Sequence, residues 1–185
     1  MKTIKTDVLI IGSGFGAGPP ALQLAKVGLR TIVIEKGPDI DPYKDFRQTQ
    51  DPKYFLKYVK GVSGKNLMFS FGEGLGGGSG FYESVTLRAP SFVFDSTYEN
   101  GHRLWPNGIT RQDMDPYFDR GEKLMEVEQI PYKKIPKTGL VFAMLMKNLG
   151  YSTDRMQMAI RRCMNCGRCV TGCIYQSKKL SLIHM

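Results

Sequence analysis

All four cysteines of this 185-residue chain fall within residues 161–175, in the stretch RRCMNCGRCVTGCIY. Cys163, Cys166, Cys169 and Cys173 have the spacing C-x2-C-x2-C-x3-C. Thiolates are soft metal ligands, and Cys163, Cys166 and Cys169 are spaced to reach one iron–sulfur cluster, as in bacterial ferredoxin runs. In those runs the fourth cysteine serves a second cluster and a proline follows it. Here Ile174 follows Cys173, and the chain has no second cysteine group. A four-cysteine zinc site takes two pairs separated by a long spacer, which is missing from this stretch. A disulfide such as Cys166–Cys173 is also open to the thiols, but a reducing compartment disfavours it. Two readings therefore remain: a cluster on these cysteines, or a loop shaped by Gly167 and Gly172.

A second chemistry lies near the N-terminus. Residues 12–17, GSGFGA, fit G-x-G-x-x-[GA], with Gly12, Gly14 and Ala17 in the three key positions. Gly12 permits a tight turn, Gly14 a close backbone approach to a pyrophosphate, and Ala17 close helix–strand packing. A helix starting there turns free N–H groups and a positive dipole end toward phosphates. Glu35 follows 23 positions after Gly12. Its carboxylate is placed to accept hydrogen bonds from a ribose and to repel a 2′-phosphate. A third stretch, GEGLGGGSG at 72–80, packs six glycines into nine positions, which lets main chain lie against a flat or anionic ligand.

These loops need elements to hold them. TDVLII at 6–11 and RTIVIE at 30–35 predict buried parallel strands, and residues 14–28 predict the helix between them, a βαβ unit. Pro19 and Pro20 fall in the first turns of that helix, where missing N–H groups are tolerated. Residues 36–66 predict an irregular excursion with a helical turn around 52–60. LMFSF at 67–71 leads into the second glycine loop, and extended chain follows it. Thr110 is a candidate N-cap with Asp113 three positions on, and a helix is predicted over 115–126. A further helix is predicted over 138–149, beyond a Pro/Lys linker. Only one βαβ unit is visible, so the sheet is expected to be incomplete in this chain.

With 42% hydrophobic and 23% charged residues, the composition excludes disorder over most of the length. The net charge of +9 does not indicate a nucleic-acid binder, because Lys and Arg are scattered. The short runs at 133–134, 161–162 and 178–179 read as solvated faces or as a surface that meets an acidic partner. The apolar run in MKTIKTDVLIIGSG is too short for a secretory signal, and no stretch has the length of a membrane span. A cytoplasmic protein is the expectation.

Together, DVLIIGSGFGAGPPALQLAKVGLRTIVIEKG and GEGLGGGSGFYESVTLRAP resemble the glucose–methanol–choline (GMC) oxidoreductases, which are FAD flavoproteins, and in particular the cholesterol-oxidase-like branch. LWPNGITRQDMDPYFDRGEKLMEV and CGRCVTGCIYQSKKLSL are similar to later segments of that branch. The resemblance implies an α/β fold, the N-terminal part of a Rossmann-like FAD-binding domain. Residues 1–128 would belong to that domain. Residues 129–185 would add a linker, a helix and the cysteine loop, continuing into a further C-terminal region. It also implies that Gly12, Ser13, Gly14, Phe15 and Gly16 hold the FAD pyrophosphate and that Glu35 binds the adenosine ribose. Gly76, Gly77, Gly78 and Ser79 would run along the pyrophosphate, ribityl chain and flavin. Tyr82 stands where relatives carry an asparagine near the flavin, and Pro19-Pro20 stands where they carry small apolar residues.

The implied activity is oxidation of the CH–OH group of a small-molecule alcohol, a sterol-like one among the candidates, by hydride transfer to flavin. Electrons would pass to oxygen or a carrier. His102 and His184 match neither position of the family's catalytic pair, so the catalytic residues are expected beyond residue 185. Two rivals remain at this level: a flavin and iron–sulfur electron-transfer dehydrogenase, and a non-enzymatic nucleotide- or zinc-binding module.

Overall fold

The computed structural model of the chain describes residues 3–179, in two compact units. The first comprises the described parts of Met1–Ser84 and Arg161–Met185, and the second is Val85–Ile160.

The first unit opens with β1 (Val8–Ile11), α1 (Gly18–Lys26) and β2 (Thr31–Ile34). The strands pair in parallel, Val8 opposite Thr31 through Ile11 opposite Ile34. The βαβ unit is thus present, with shorter elements than the sequence pattern predicts. The helix begins at Gly18 rather than residue 14, and the two prolines give the reason. Neither can donate a backbone hydrogen bond, so the first such bond to form at the helix start runs from Ala21 N–H to Ala17 O at 3.0 Å. A separate turn precedes it, closed by Ala17 N–H donating to Gly14 O at 2.9 Å.

The excursion after β2 is more regular than expected. It contains α2 (Asp45–Gln48), α3 (Pro52–Tyr58) and a hairpin of β3 (Val59–Ser63) with β4 (Met68–Gly72). Asp51 caps α3 by accepting from Lys53 N–H at 2.8 Å, and Pro52 sits at the first helical position, where its missing N–H is harmless. The second glycine loop is also wound: Gly77–Phe81 forms a 3-10 turn, separated from the end of β4 by four residues.

The second unit contains α4 (Ser91–Asp95), α5 (Arg111–Leu124), β5 (Glu128–Gln129), α6 (Lys137–Asn148) and β6 (Gln157–Met158), with β5 and β6 antiparallel. Its packing centre is Phe94, 1% exposed, against the Trp105 ring at 4.7 Å. Arg88 joins α5 through Asp115, Asp119 and Glu122, which recur along one face of the helix. Thr110 and Asp113 form a complete capping box, so α5 starts at Arg111, four residues before the predicted start. Thr110→Ala is expected to lower the stability of this unit by about 1 kcal/mol, read as a reduced denaturation midpoint at unchanged m-value. No helix among the described residues is long and apolar enough to cross a membrane.

Candidate functional site

The two glycine loops meet in the first unit, and Ser13 joins them. This residue is 0% exposed. Its hydroxyl accepts from Gly76 N–H at 2.8 Å and donates to Glu35 Oε2 at 2.6 Å. The Ser13 N–H donates to the same Oε2 at 2.9 Å, and Gly37 N–H donates to Oε1 at 2.9 Å. Loop one, the end of β2 and loop two are therefore linked through one serine and one carboxylate. Next to this link, a Cβ built on Gly77 would lie 3.2 Å from Gly14 Cα, so the two main chains touch. On the other side the first loop is open: a Cβ at Gly12, Gly14 or Gly16 meets nothing within 4 Å.

Burial alone would raise the Glu35 pKa. The Ser13 hydroxyl and the N–H groups of Gly37, Ser13 and Lys36 outweigh burial and hold the carboxyl below its usual range. A carboxyl lowered in the folded state contributes stability above its unfolded pKa and loses it as pH falls through the lower folded value. Glu35→Gln is expected to remove that acid limb. Thermal midpoints of wild type should fall below about pH 4, whereas the variant's should start lower and vary less. Parallel pH profiles for the two proteins would contradict this role.

A second seam runs along the exit from β2. Leu75 N–H donates to Pro38 O at 2.9 Å, buried Ile40 lies against Gly74, and Lys36 pairs with Glu73 at 3.1 Å. Gly76, Ser79 and Gly80 are buried here, and Ser79 Oγ donates to Gly76 O at 2.7 Å. Gly78 is exposed. Tyr82 follows the 3-10 turn, with its ring edge-on to Phe15 at 4.9 Å. Burial pushes its hydroxyl up to about 12, against a smaller opposing effect of Ser84.

The cysteine loop packs onto the same unit. Thr49 Oγ1 donates to Thr171 O, Gln50 Nε2 donates to Thr171 Oγ1 at 2.6 Å, and Gly172 lies directly against the Phe46 ring. All four cysteines are thiols rather than disulfides. Asn165 N–H points at Cys163 Sγ (3.2 Å) and Ser177 N–H at Cys173 Sγ (3.4 Å), while burial pushes the Cys169 thiol up. Among the described residues, no three His, Cys, Asp or Glu side chains gather into a group that could hold a metal ion. The cluster read from the spacing of Cys163, Cys166, Cys169 and Cys173 therefore finds no support in the geometry. Close spacing brings thiols into one neighbourhood, but a cage also needs them to converge on one point.

Lys178 corrects another expectation. The Lys178-Lys179 run reads as a solvated face, yet Lys178 is 4% exposed. No local pattern marks it, because its partners lie about 100 residues earlier or across the cysteine loop. Phe46, 3% exposed, likewise had no signal beyond being one aromatic in an irregular stretch. His102 is exposed in a turn after Tyr98, and His184 lies outside the described residues.

The GMC oxidoreductase family profile matches residues 6–183. Among curated proteins, the chain is 28% identical to long-chain-alcohol oxidase FAO3 of Arabidopsis thaliana, over 95% of this chain and 24% of that protein. It is 32% identical to a cholesterol oxidase of Mycobacterium tuberculosis, over 68% of this chain and 22% of that protein. The chain spans about a quarter of the length of these curated relatives. From its fold and this match along nearly its whole length, the chain belongs to the GMC oxidoreductase family, whose N-terminal domain is a Rossmann-like FAD-binding fold.

Proposed function

We propose that this chain forms the FAD-binding segment of an enzyme that oxidises the CH–OH group of an apolar alcohol. The observation that carries this reading is the junction of the two glycine loops through Ser13, with open space on the outer side of Gly12, Gly14 and Gly16. The residues fit a dinucleotide. Main chain at Gly12, Gly14, Phe15 and Gly16 can approach a pyrophosphate without Cβ atoms in the way, and the turn before α1 leaves N–H groups near it. Ser13 acts from behind, keeping the second loop against the first. Glu35 is held ionised by Ser13 and Gly37 at the end of β2, where a carboxylate is placed to accept from a ribose hydroxyl. Gly77 and the exposed Gly78 would line the path away from the pyrophosphate, with the buried Gly76 and Ser79 supporting them from behind, and Tyr82 and Phe15 would form an aromatic wall beside it.

FAD bound there supplies the hydride acceptor for alcohol oxidation. The chain's own part is to bind, orient and hold charge around that group. Relatives named as long-chain-alcohol and cholesterol oxidases support an apolar alcohol as substrate and oxygen as acceptor, with a carrier as the alternative acceptor. The test is to purify the full-length protein after expression with FAD. Flavin absorbance, together with its bleaching under anaerobic long-chain or sterol alcohol, is the expected result. A colourless protein that takes up no FAD would sink the reading.

A further inference from the structure

Lys178 is a buried cation whose partners are main-chain carbonyls. Its ammonium donates to Gly80 O at 2.6 Å, Cys169 O at 2.8 Å and Tyr82 O at 3.1 Å. Three N–H groups meet three acceptors, so the ammonium is fully used by these bonds. Two of the carbonyls belong to the chain leaving the second glycine loop, and the third belongs to the cysteine loop. Tyr82 sits between them, its ring centre 5.5 Å from Nζ and its hydroxyl donating to Lys179 O at 2.8 Å. That same ring meets Phe15 of the first loop.

We propose that Lys178 is a positioning residue for cofactor binding: by gathering Gly80 O, Tyr82 O and Cys169 O, its ammonium holds the Tyr82 ring against Phe15 at the edge of the glycine-loop site. The inference rests on the FAD reading of that site. It gives the cysteine loop a role that needs no metal, because the loop delivers one carbonyl and the lysine itself.

The device depends on charge. A neutral amine has two N–H groups for three carbonyls and turns a lone pair toward them. Burial draws the Lys178 pKa down to about 8, opposed by the nearby Cys169 and Cys173 sulfurs. The groups facing the ammonium are those two thiols and the Tyr82 phenol. Burial keeps the phenol protonated up to about 12 and pushes the Cys169 thiol up. If FAD binding favours the charged clamp, affinity must fall as pH rises through the lysine's titration.

The experiment uses the full-length protein stripped of flavin and titrated with FAD, followed by visible circular dichroism and flavin fluorescence. Wild-type affinity is expected to fall at least about threefold between about pH 7 and about pH 9. Lys178→Met should weaken binding about tenfold or more and change the dichroism of bound flavin. Lys178→Arg stays charged, so it should recover much of the affinity and lose the pH dependence. Cys173→Ser should keep the pH dependence, which separates the lysine from the thiol. Wild-type affinity and dichroism in Lys178→Met, or a wild-type pH profile in Lys178→Arg, would overturn the inference alone. Should the methionine variant be insoluble, the arginine variant and the wild-type profile still decide. A wild type that binds no FAD overturns both the inference and the reading beneath it.

Discussion

Gly37→Ala is expected to destabilise the first unit by more than about 3 kcal/mol, beyond the usual cost of overpacking. An added Cβ would lie 2.2 Å from Gly74 N, and 2.6 Å from both Glu73 C and Gly74 Cα. All three are main-chain atoms, so no side chain can swing aside. Either the β2 exit or the second glycine loop must move as a whole. Moving it would disturb the Leu75–Pro38 hydrogen bond and the Gly37 N–H that fixes Glu35. Native stabilities of about 5–15 kcal/mol leave little room for such a change. Chemical denaturation of the variant, with FAD uptake measured alongside, should show a large drop in midpoint and impaired binding. A midpoint equal to wild type would show that the two main chains are not in contact at this seam.

Phe46→Ala is expected to cost about 3–5 kcal/mol, the range for emptying a large buried aromatic. Its ring packs edge-on to Phe81 at 5.6 Å, lies beneath Gly80 and fills the space that Gly172 leaves open. Three separate stretches of chain therefore lose a shared surface at once. Gly172→Ala makes the opposite error at the same contact: its Cβ would fall 2.2 Å from Phe46 Cδ1, at a backbone φ of +98° that L side chains rarely adopt. Combining the two changes gives a sharper test than either alone. Removing the ring relieves the alanine's clash, so the double variant should be more stable than the sum of the single losses predicts. Strict additivity would show that Phe46 and Gly172 do not meet.

How far the sequence reveals this arrangement depends on whether the cause is local. β1, the first glycine loop and β2 were legible, because apolar runs ended by glycine and an acidic residue are a pattern within one stretch. The hairpin β3–β4 was not. Gly61 and Ser63 leave β3 no continuous apolar face, Met68 falls on the same face as Ser70, and Met68 to Phe71 are all exposed, so neither strand carries the pattern of a half-buried strand. Glu35 was legible as the acidic residue at the end of β2, but its link to Ser13 and through Ser13 to Gly76 was not. That link depends on two loops 63 residues apart coming together. Lys178 was read as part of a surface charge run, since a lysine is rarely buried and nothing around residue 178 announces three waiting carbonyls. The cysteines taught the converse lesson. Their spacing is conspicuous, yet the structure uses the loop's glycine and carbonyls.

The first unit is discontinuous, and this matters while the protein is being made. Tyr82 leaves the ribosome long before its partner, because Lys178 follows it by 96 residues. At ordinary synthesis rates of about 5–20 residues per second, that gap lasts roughly 5–20 s. Throughout it the carbonyls of Gly80 and Tyr82 lack their ammonium and Phe46 lacks the glycine that closes over it. The nascent N-terminal stretch therefore lacks these contacts until the cysteine loop has emerged to supply them.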